Sequence, residues 1–304
     1  MKTINWIVRA ARVIFEAMRI LGYLTALLAG CSSSVSAPAA SPAASTSTTR
    51  AEVQPAAFDG HAAPEGAVQA YFEASDTCSS RTLRTAFHPA TLMHWVDKSG
   101  ALHTRPQLAW WQSLEAGPCK PAIERHLTVV DREGAMALVE ANSRFDSFRF
   151  HDFLLVANAG TGWRIVDKIF QRLEGDEPPA AVDEAAIRRV LGDKIKAANT
   201  SDPALLAASH IEDAAYTAIH VRGVPFARES LSEAAFRYAS RRERGEDTSA
   251  DRWRVLGVGG SGTVAYAKLD VVVRGTRYID FLLLLRTADG WRLSGAVWGD
   301  PSMT

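Results

Sequence analysis

The sequence is short of cysteine, of net charge and of long apolar runs, and each shortage excludes a class of protein. Three cysteines in 304 residues are too few for a disulfide-dense scaffold, and none lies in the C-x-x-C spacing that holds zinc. Lysine plus arginine number 34 and aspartate plus glutamate 34. The chain as a whole therefore carries no basic footprint for nucleic acid. It has no H-E-x-x-H, no P-loop and no G-x-S-x-G elbow, the signatures of zinc proteolysis, phosphate cradling and serine hydrolysis. Neither a metal nor an organic cofactor is expected. The apolar stretch "ILGYLTALLAG", Ile20 to Gly30, is too short to cross a bilayer comfortably, and no later run is long enough.

That stretch has another reading. Arg9, Arg12 and Arg19 precede it and Cys31 follows it. A basic n-region, a short h-region and small residues before a cleavage point make residues 1–30 a secretory signal. Glu16 interrupts the pattern, and Met18 offers a second start, because "MRILGYLTALLAGC" is a complete signal by itself. The ending "LAGC", Leu28 to Cys31, resembles the lipobox of bacterial lipoproteins. The resemblance implies cleavage before Cys31, lipidation of that residue and a membrane as partner. Ser32, where Asp would signal retention, points to the outer membrane facing the periplasm of a bacterial envelope. Without residues 1–30 the balance is 30 basic against 33 acidic, a net of −3. Residues 31–63 are rich in Ser, Ala, Pro and Thr. They cannot bury enough apolar area to offset their chain entropy and read as a disordered tether, with a reach of roughly 30 Å. The two remaining cysteines, Cys78 and Cys119, would sit in an oxidising compartment, where they either pair or stay as two buried thiols.

The body of the chain is written twice. "DFLLVANAGTGWR" from Asp152 returns as "DFLLLLRTADGWR" from Asp280, with the opening Asp-Phe-Leu-Leu and the closing Gly-Trp-Arg in one register. "FHPATLMHWVDKSGALHTRPQL" from Phe87 answers "SHIEDAAYTAIHVRGVPFARESL" from Ser209, aligning His88 with His210 and Gly100 with Gly223. The units run over 64–175 and 182–300, the second carrying an extra "RRERGEDTSAD". Each opens on a helix, spaced by Val68, Tyr71 and Phe72 or by Ile187, Val190, Leu191 and Ile195. A short helix follows, which Asp202-Pro203 begins in the second unit. Then come one strand and a helix starting at Thr104-x-x-Gln107 or Ser230-x-x-Glu233, both of capping-box form. Four strands close each unit. This is an α+β pattern.

This order, with Phe87-His88-Pro89 and "HDFLL…GWRIVDKIF" over His151 to Phe170, resembles the nuclear transport factor 2-like superfamily, within it the lumazine-binding and SnoaL-like branch. The resemblance implies two cone-shaped domains, each with helices packed in a curved antiparallel sheet. Such domains pair through the open sheet face, so two fused copies would form an intramolecular pseudo-dimer. The second unit departs from the pattern at Ser209 and at "SGAVW", where the first has "VDKIF" and Lys168.

Strand alternation places Phe148, Phe150, Asp152, Leu154 and Val156 on one face, and Tyr278, Asp280, Leu282 and Leu284 on the matching one. An acid in an apolar stripe is costly unless hydrogen-bonded. It either accepts hydrogen bonds that fix the cone or, desolvated, serves as a general base. The resemblance implies the latter role for Asp152 in a ketosteroid-isomerase-like isomerase, cyclase or dehydratase, assisted by His88 or His151. The other expectation is a non-enzymatic lipoprotein that binds a small apolar or aromatic ligand, or an envelope partner protein. Its pocket would be lined by Asp152, Phe148, Phe150, Trp95 and Trp111, and by Asp280, Tyr278 and His210 in the second unit. Adjacent Trp110 and Trp111 cannot face the same way on a helix. "GVGGSG", Gly257 to Gly262, imitates a dinucleotide motif, but the repeat aligns it with "VVDREG" and makes it a turn between strands. Replacing Cys31 by Ala should leave an uncleaved precursor without acyl label; processing and localisation like the parent chain would overturn the lipoprotein assignment.

Overall fold

The computed structural model describes residues 60–303 except 176, 177 and 222. Cys31, the signal and nearly all of the tether lie outside them. The first unit opens with α1, Pro64–Thr77, which has Pro64 in its first turn and buries Ala67, Val68, Tyr71, Phe72 and Ala74. Cys78 ends it in the left-handed conformation, φ 53°. Helix α2, Ser80–Ala86, is capped by Ser79, whose side chain accepts from the Thr82 amide. Strands β1, Leu92–Val96, and β2, Leu102–Pro106, precede α3, Gln107–Ala116. The meander β3, Glu124–Glu133, β4, Met136–Arg144, β5, Phe148–Asn158, and β6, Trp163–Glu174, completes the sheet. Its order is β2-β1-β6-β5-β4-β3, with β1 parallel to β6 and the other pairs antiparallel.

The second unit repeats this as α4, Glu184–Thr200, α5, Pro203–Ser209, β7, His210–Val221, β8, Val224–Ser230, and α6, Leu231–Glu243. It closes with β9, Arg252–Ser261, β10, Val264–Val273, β11, Thr276–Thr287, and β12, Gly290–Gly299, in the order β8-β7-β12-β11-β10-β9. Asp202 caps α5 with Pro203 following, and Ser230 and Glu233 form a complete capping box on α6. Three expectations need correction. A hairpin, rather than one strand, separates the short helix from the next in both units. Thr104 does not open a helix: it lies in β2 opposite His94, its hydroxyl 3.0 Å from His94 Nδ1, and Pro106 takes the N-cap. "GVGGSG" is mostly strand β9 rather than turn, its Gly257, Gly259 and Gly260 pairing across to Lys268, Tyr266 and Ala265. Only Gly262 turns, at φ 61°, and a Cβ there would collide with Gln171 of the first unit.

Along the central strands of each sheet both faces are buried. One meets the unit's own helices; the other meets the second sheet. Phe153, Leu155, Val166 and Ile169 pack against Ile279, Phe281, Leu283 and Val297. A buried side chain of this size contributes about 1.5–3 kcal/mol. The pseudo-dimer is thus sealed by a shared apolar layer. Polar ties cross it: the Gln171 amide donates to Ser261 O at 2.9 Å, its Oε1 accepts from the Thr263 amide at 3.0 Å, and Lys268 reaches Asp131 and Glu133 at 2.8 and 2.7 Å. Cys78 and Cys119 are disulfide-bonded, joining the end of α1 to the loop after α3. A separation of 41 residues corresponds to roughly 3–4 kcal/mol in the chain-entropy account.

The repeat breaks at the centre of this layer. Counting from Trp163 and Trp291, Asp167 and Gly295 are equivalent positions, and they face each other. A Cβ on Gly295 would stand 1.6 Å from Asp167 Oδ2, so only glycine fits opposite the acid. Burial pushes the Asp167 carboxyl up to about 7, against the pull of Arg228. Burial lowers His94 to about 4, with Asp213 opposing and Arg228 adding to the shift. His94 is therefore neutral at pH 7, and its 3.9 Å approach to Asp167 is not an ion pair there. An acid whose folded pKa lies above its unfolded value near 3.9 stabilises fully below that value. That stabilisation is lost as pH rises through the folded pKa. Asp167→Asn should therefore gain on the parent protein between pH 4 and 7, by up to about 4 kcal/mol, read from urea unfolding at both pH values. An unchanged difference across that window would contradict the assignment.

Candidate functional site

Alternation along β5 and β11 decides which side chains can meet. Asp152, Leu154 and Val156 face the first unit's helices, while Phe153 and Leu155 face the second sheet. Asp152 has no exposed surface. Its Oδ2 accepts from Tyr71 Oη at 2.8 Å and from Lys168 Nζ at 2.6 Å, and Lys168 also donates to Tyr71 Oη at 2.6 Å. Aromatic rings box the ammonium: Tyr71, Phe170 and Trp110 have centroids 4.3, 5.0 and 5.9 Å from Nζ. Burial lowers the Lys168 pKa and Asp152 opposes it; burial raises that of Tyr71, and Asp152 adds to the rise. The centre of the first unit is filled by a charge pair and rings.

The other residues expected around Asp152 scatter. His151 is one step along the strand and points the opposite way, to Glu140 at 2.8 Å and Ser261 Oγ at 2.9 Å across the sheet layer. His88 stacks on Phe226 of the second unit, centroids 4.2 Å apart, and is lowered to about 4 by burial and by Arg228 and Arg164. Neither histidine assists Asp152. Phe148 and Phe150 form a half-buried aromatic row with Phe170, and Trp95 stacks on Phe170 at 5.1 Å. Trp111 lies in the core under Arg84; its neighbour Trp110 is the one that reaches Tyr71, at 5.7 Å.

The second unit solves the same acid differently. Both first helices end in a left-handed residue, Cys78 and Ser201, so Lys194 takes the place of Tyr71. Ala296 takes the place of Lys168, and Ser209 that of Phe87. The cation has moved from strand to helix, and bulk has been removed. A cavity of about 370 Å³ results. Tyr216, Tyr238, Trp253, Tyr278 and Trp298 supply its aromatic walls, with Lys194 and Asp280 among the lining groups. Lys194 Nζ lies 3.4 Å from Asp280 Oδ2 and 4.5 Å from the Trp253 ring centroid. Burial raises Asp280 and lowers Lys194, and each restrains the other's shift. Behind the wall, His210 donates from Nδ1 to Leu206 O at 2.8 Å and accepts from Tyr216 Oη at 2.5 Å. Burial brings it down to about 3, so it orients Tyr216 as a neutral ring.

Of the residues expected at a pocket, Tyr278 and Asp280 line this cavity. Lys194, Trp253 and the arginines of its rim were not foreseen. The available signals were a lysine at the helix position of Tyr71 and the extra "RRERGEDTSAD", which supplies Arg241, Arg244, Glu246 and Asp251 around the rim. Among the described residues, no group of three His, Cys, Asp or Glu side chains could hold a metal ion.

The two acids should respond differently to amidation. Asp152→Asn strands a buried ammonium and should cost about 3–5 kcal/mol. Asp280→Asn leaves Lys194 beside a cavity open to water and should cost about 1–2 kcal/mol. Denaturant unfolding of both variants measures this; equal losses would contradict the distinction.

Several solved structures are similar to part of this chain. A nuclear transport factor 2-like protein of unknown function from Silicibacter pomeroyi is 20% identical, covering 38% of this chain and 92% of that one at a TM-score of 0.34. One from Methylobacillus flagellatus is 20% identical, covering 40% and 98% at 0.35. A ketosteroid isomerase-like protein from Erwinia carotovora is 20% identical, covering 38% and 93% at 0.30. No protein of curated function matches significantly. The profile of the family described as "Putative lumazine-binding" matches residues 59–171 and again 182–299, about three quarters of the sequence. The chain belongs to this family and carries its domain twice in tandem.

Proposed function

We propose that this protein binds a small planar aromatic compound in the cavity of its second unit and performs no chemistry on it. The observation that carries this reading is the asymmetry of the repeat. The fold is kept in both units, yet the first is filled by Lys168, Tyr71 and Trp110 while the second holds a cavity of about 370 Å³ with five aromatic walls. That volume lies within the range of small-molecule sites, and aromatic walls with a few convergent polar groups are their usual lining. The family's description, lumazine-binding, names a planar heterocycle and points the same way. A concavity of this size suits a small molecule better than a protein partner.

An isomerase, cyclase or dehydratase using Asp152 gains no support from the geometry. That carboxylate is fully buried, takes hydrogens from Lys168 and Tyr71, and has neither His88 nor His151 beside it. Asp280 faces a cavity, where burial raises its pKa and Lys194 restrains the rise, but among the described residues no histidine lines the cavity beside it. We also propose that Cys31 anchors the chain by lipid to the outer membrane, facing the periplasm. The support is "LAGC" followed by a slack segment.

Native mass spectrometry of residues 31–304 should show a small-molecule adduct that denaturation releases. Val273→Trp, which places bulk on the cavity lining, should abolish the adduct and leave the unfolding transition in place. An adduct retained in Val273→Trp would move the site elsewhere.

A further inference from the structure

The walls of the cavity favour a ring; its rim adds a second requirement. Four arginines, Arg237, Arg241, Arg244 and Arg274, line the cavity together with Glu229 and Glu246. Their pairing is uneven. Arg237 is satisfied by Glu229, donating to both its oxygens at 2.9 and 2.7 Å. The other three converge on a single carboxylate, Glu246, which accepts from Arg241 at 3.2 Å, from Arg244 at 2.6 Å and from Arg274. Asp251 adds one more acid, 3.6 Å from Arg241. With Lys194 and Asp280 cancelling, the site holds five cations against four anions, an excess of one positive charge.

The excess is also accessible. The side chains of Arg244 and Arg274 are 60% and 53% exposed, whereas that of Glu246 is 20% exposed. Arg274 is placed there against its backbone preference. It has φ 51° at the β10–β11 turn, a left-handed position that Asn or Gly adopts at less cost. Asp251 holds it, accepting from the Arg274 amide at 3.1 Å. The first unit has Asp146 and Ser147 in the corresponding turn and no such rim. Four of the five groups in this cluster, Arg241, Arg244, Glu246 and Asp251, come from the segment that the first unit lacks.

We infer that the ligand of the second-unit cavity is an aromatic monoanion, its ring among the tyrosines and tryptophans and its carboxylate or equivalent oxyanion at Arg244 and Arg274. This rests on the cavity reading above. A guanidinium presents paired N–H donors that match a carboxylate or phosphate edge, and two exposed guanidinium groups sharing one half-buried acid retain donors for such a group.

Binding of benzoate, 2-naphthoate and anthracene-2-carboxylate, each against its neutral carboxamide, tests this on residues 31–304 by tryptophan fluorescence and calorimetry. The tightest carboxylate should bind at least tenfold more tightly than its amide. The ratio should fall toward one at high salt and in the Arg244→Gln/Arg274→Gln double variant, while Arg188→Gln, on the outer face of α4, keeps it. Amides binding as tightly as carboxylates, with Val273→Trp still blocking both, would overturn the anionic class and leave the cavity as the site. Failure of every ring of either kind to bind would overturn both. A charge preference that survives the double variant would also overturn the assignment to Arg244 and Arg274.

Discussion

Everything in this molecule depends on sheets that are dry on both faces. A strand sends successive side chains to opposite sides, and through the middle of β4, β5, β11 and β12 neither side is water. Phe153 and Leu155 reach the second sheet, while Leu154 and Val156 reach the helices. The isolated first unit would expose a large apolar face, and the fused copy covers it. Fusion makes the contact intramolecular and removes the need for the two copies to be identical. Asp167 opposite Gly295 is the clearest sign. In a symmetric dimer one residue would have to serve at both positions, and two acids would meet where one acid and a void now fit.

Release from symmetry explains the two centres. Each keeps an acid on the helix-facing side of a central strand and a lysine beside it, because a buried carboxylate needs a partner. The lysine comes from the strand in one unit and from the helix in the other. In the first, Lys168 is joined by Tyr71 and lies among Phe170 and Trp110, and the space closes. In the second, Ala296 and Ser209 withhold that bulk, and the space stays open beside Lys194 and Asp280.

Much of this was legible in the chain. The repeat, the α+β order and the Asp152 and Asp280 stripes follow from alternation and self-similarity, which are local or linear properties, and the facing sheets from the family resemblance. What escaped was of another kind. The hairpins were read as single strands because β2 is short and ends in a proline that opens α3. His151 was grouped with Asp152 through adjacency, although adjacent strand residues never share a face. The aromatic density of the first unit, with Trp95, Trp110, Trp111 and Phe150, suggested a pocket, whereas those rings fill space or pack at its edge. Composition cannot separate a wall from a plug. That difference depends on what is missing across from a residue, and it was written in Ala296, Ser209 and the polar insertion.

The two units also differ in how their first helices are held. In the first, the disulfide at Cys78 fixes the end of α1 to the connection after α3, and Asp76 adds an ion pair to Arg125. In the second, Ser201 stands at the position of Cys78, and the comparable tie is a hydrogen bond from Thr248 to Asn199 O. A cross-link restricts every state of the chain, whereas one hydrogen bond contributes about 1 kcal/mol and opens readily. Thr248 belongs to the same inserted segment as Arg244 and Glu246. The segment that supplies the charged rim is therefore tied to the first helix through Thr248 and Asn199. The closed, cross-linked unit supplies the other half of the sheet layer.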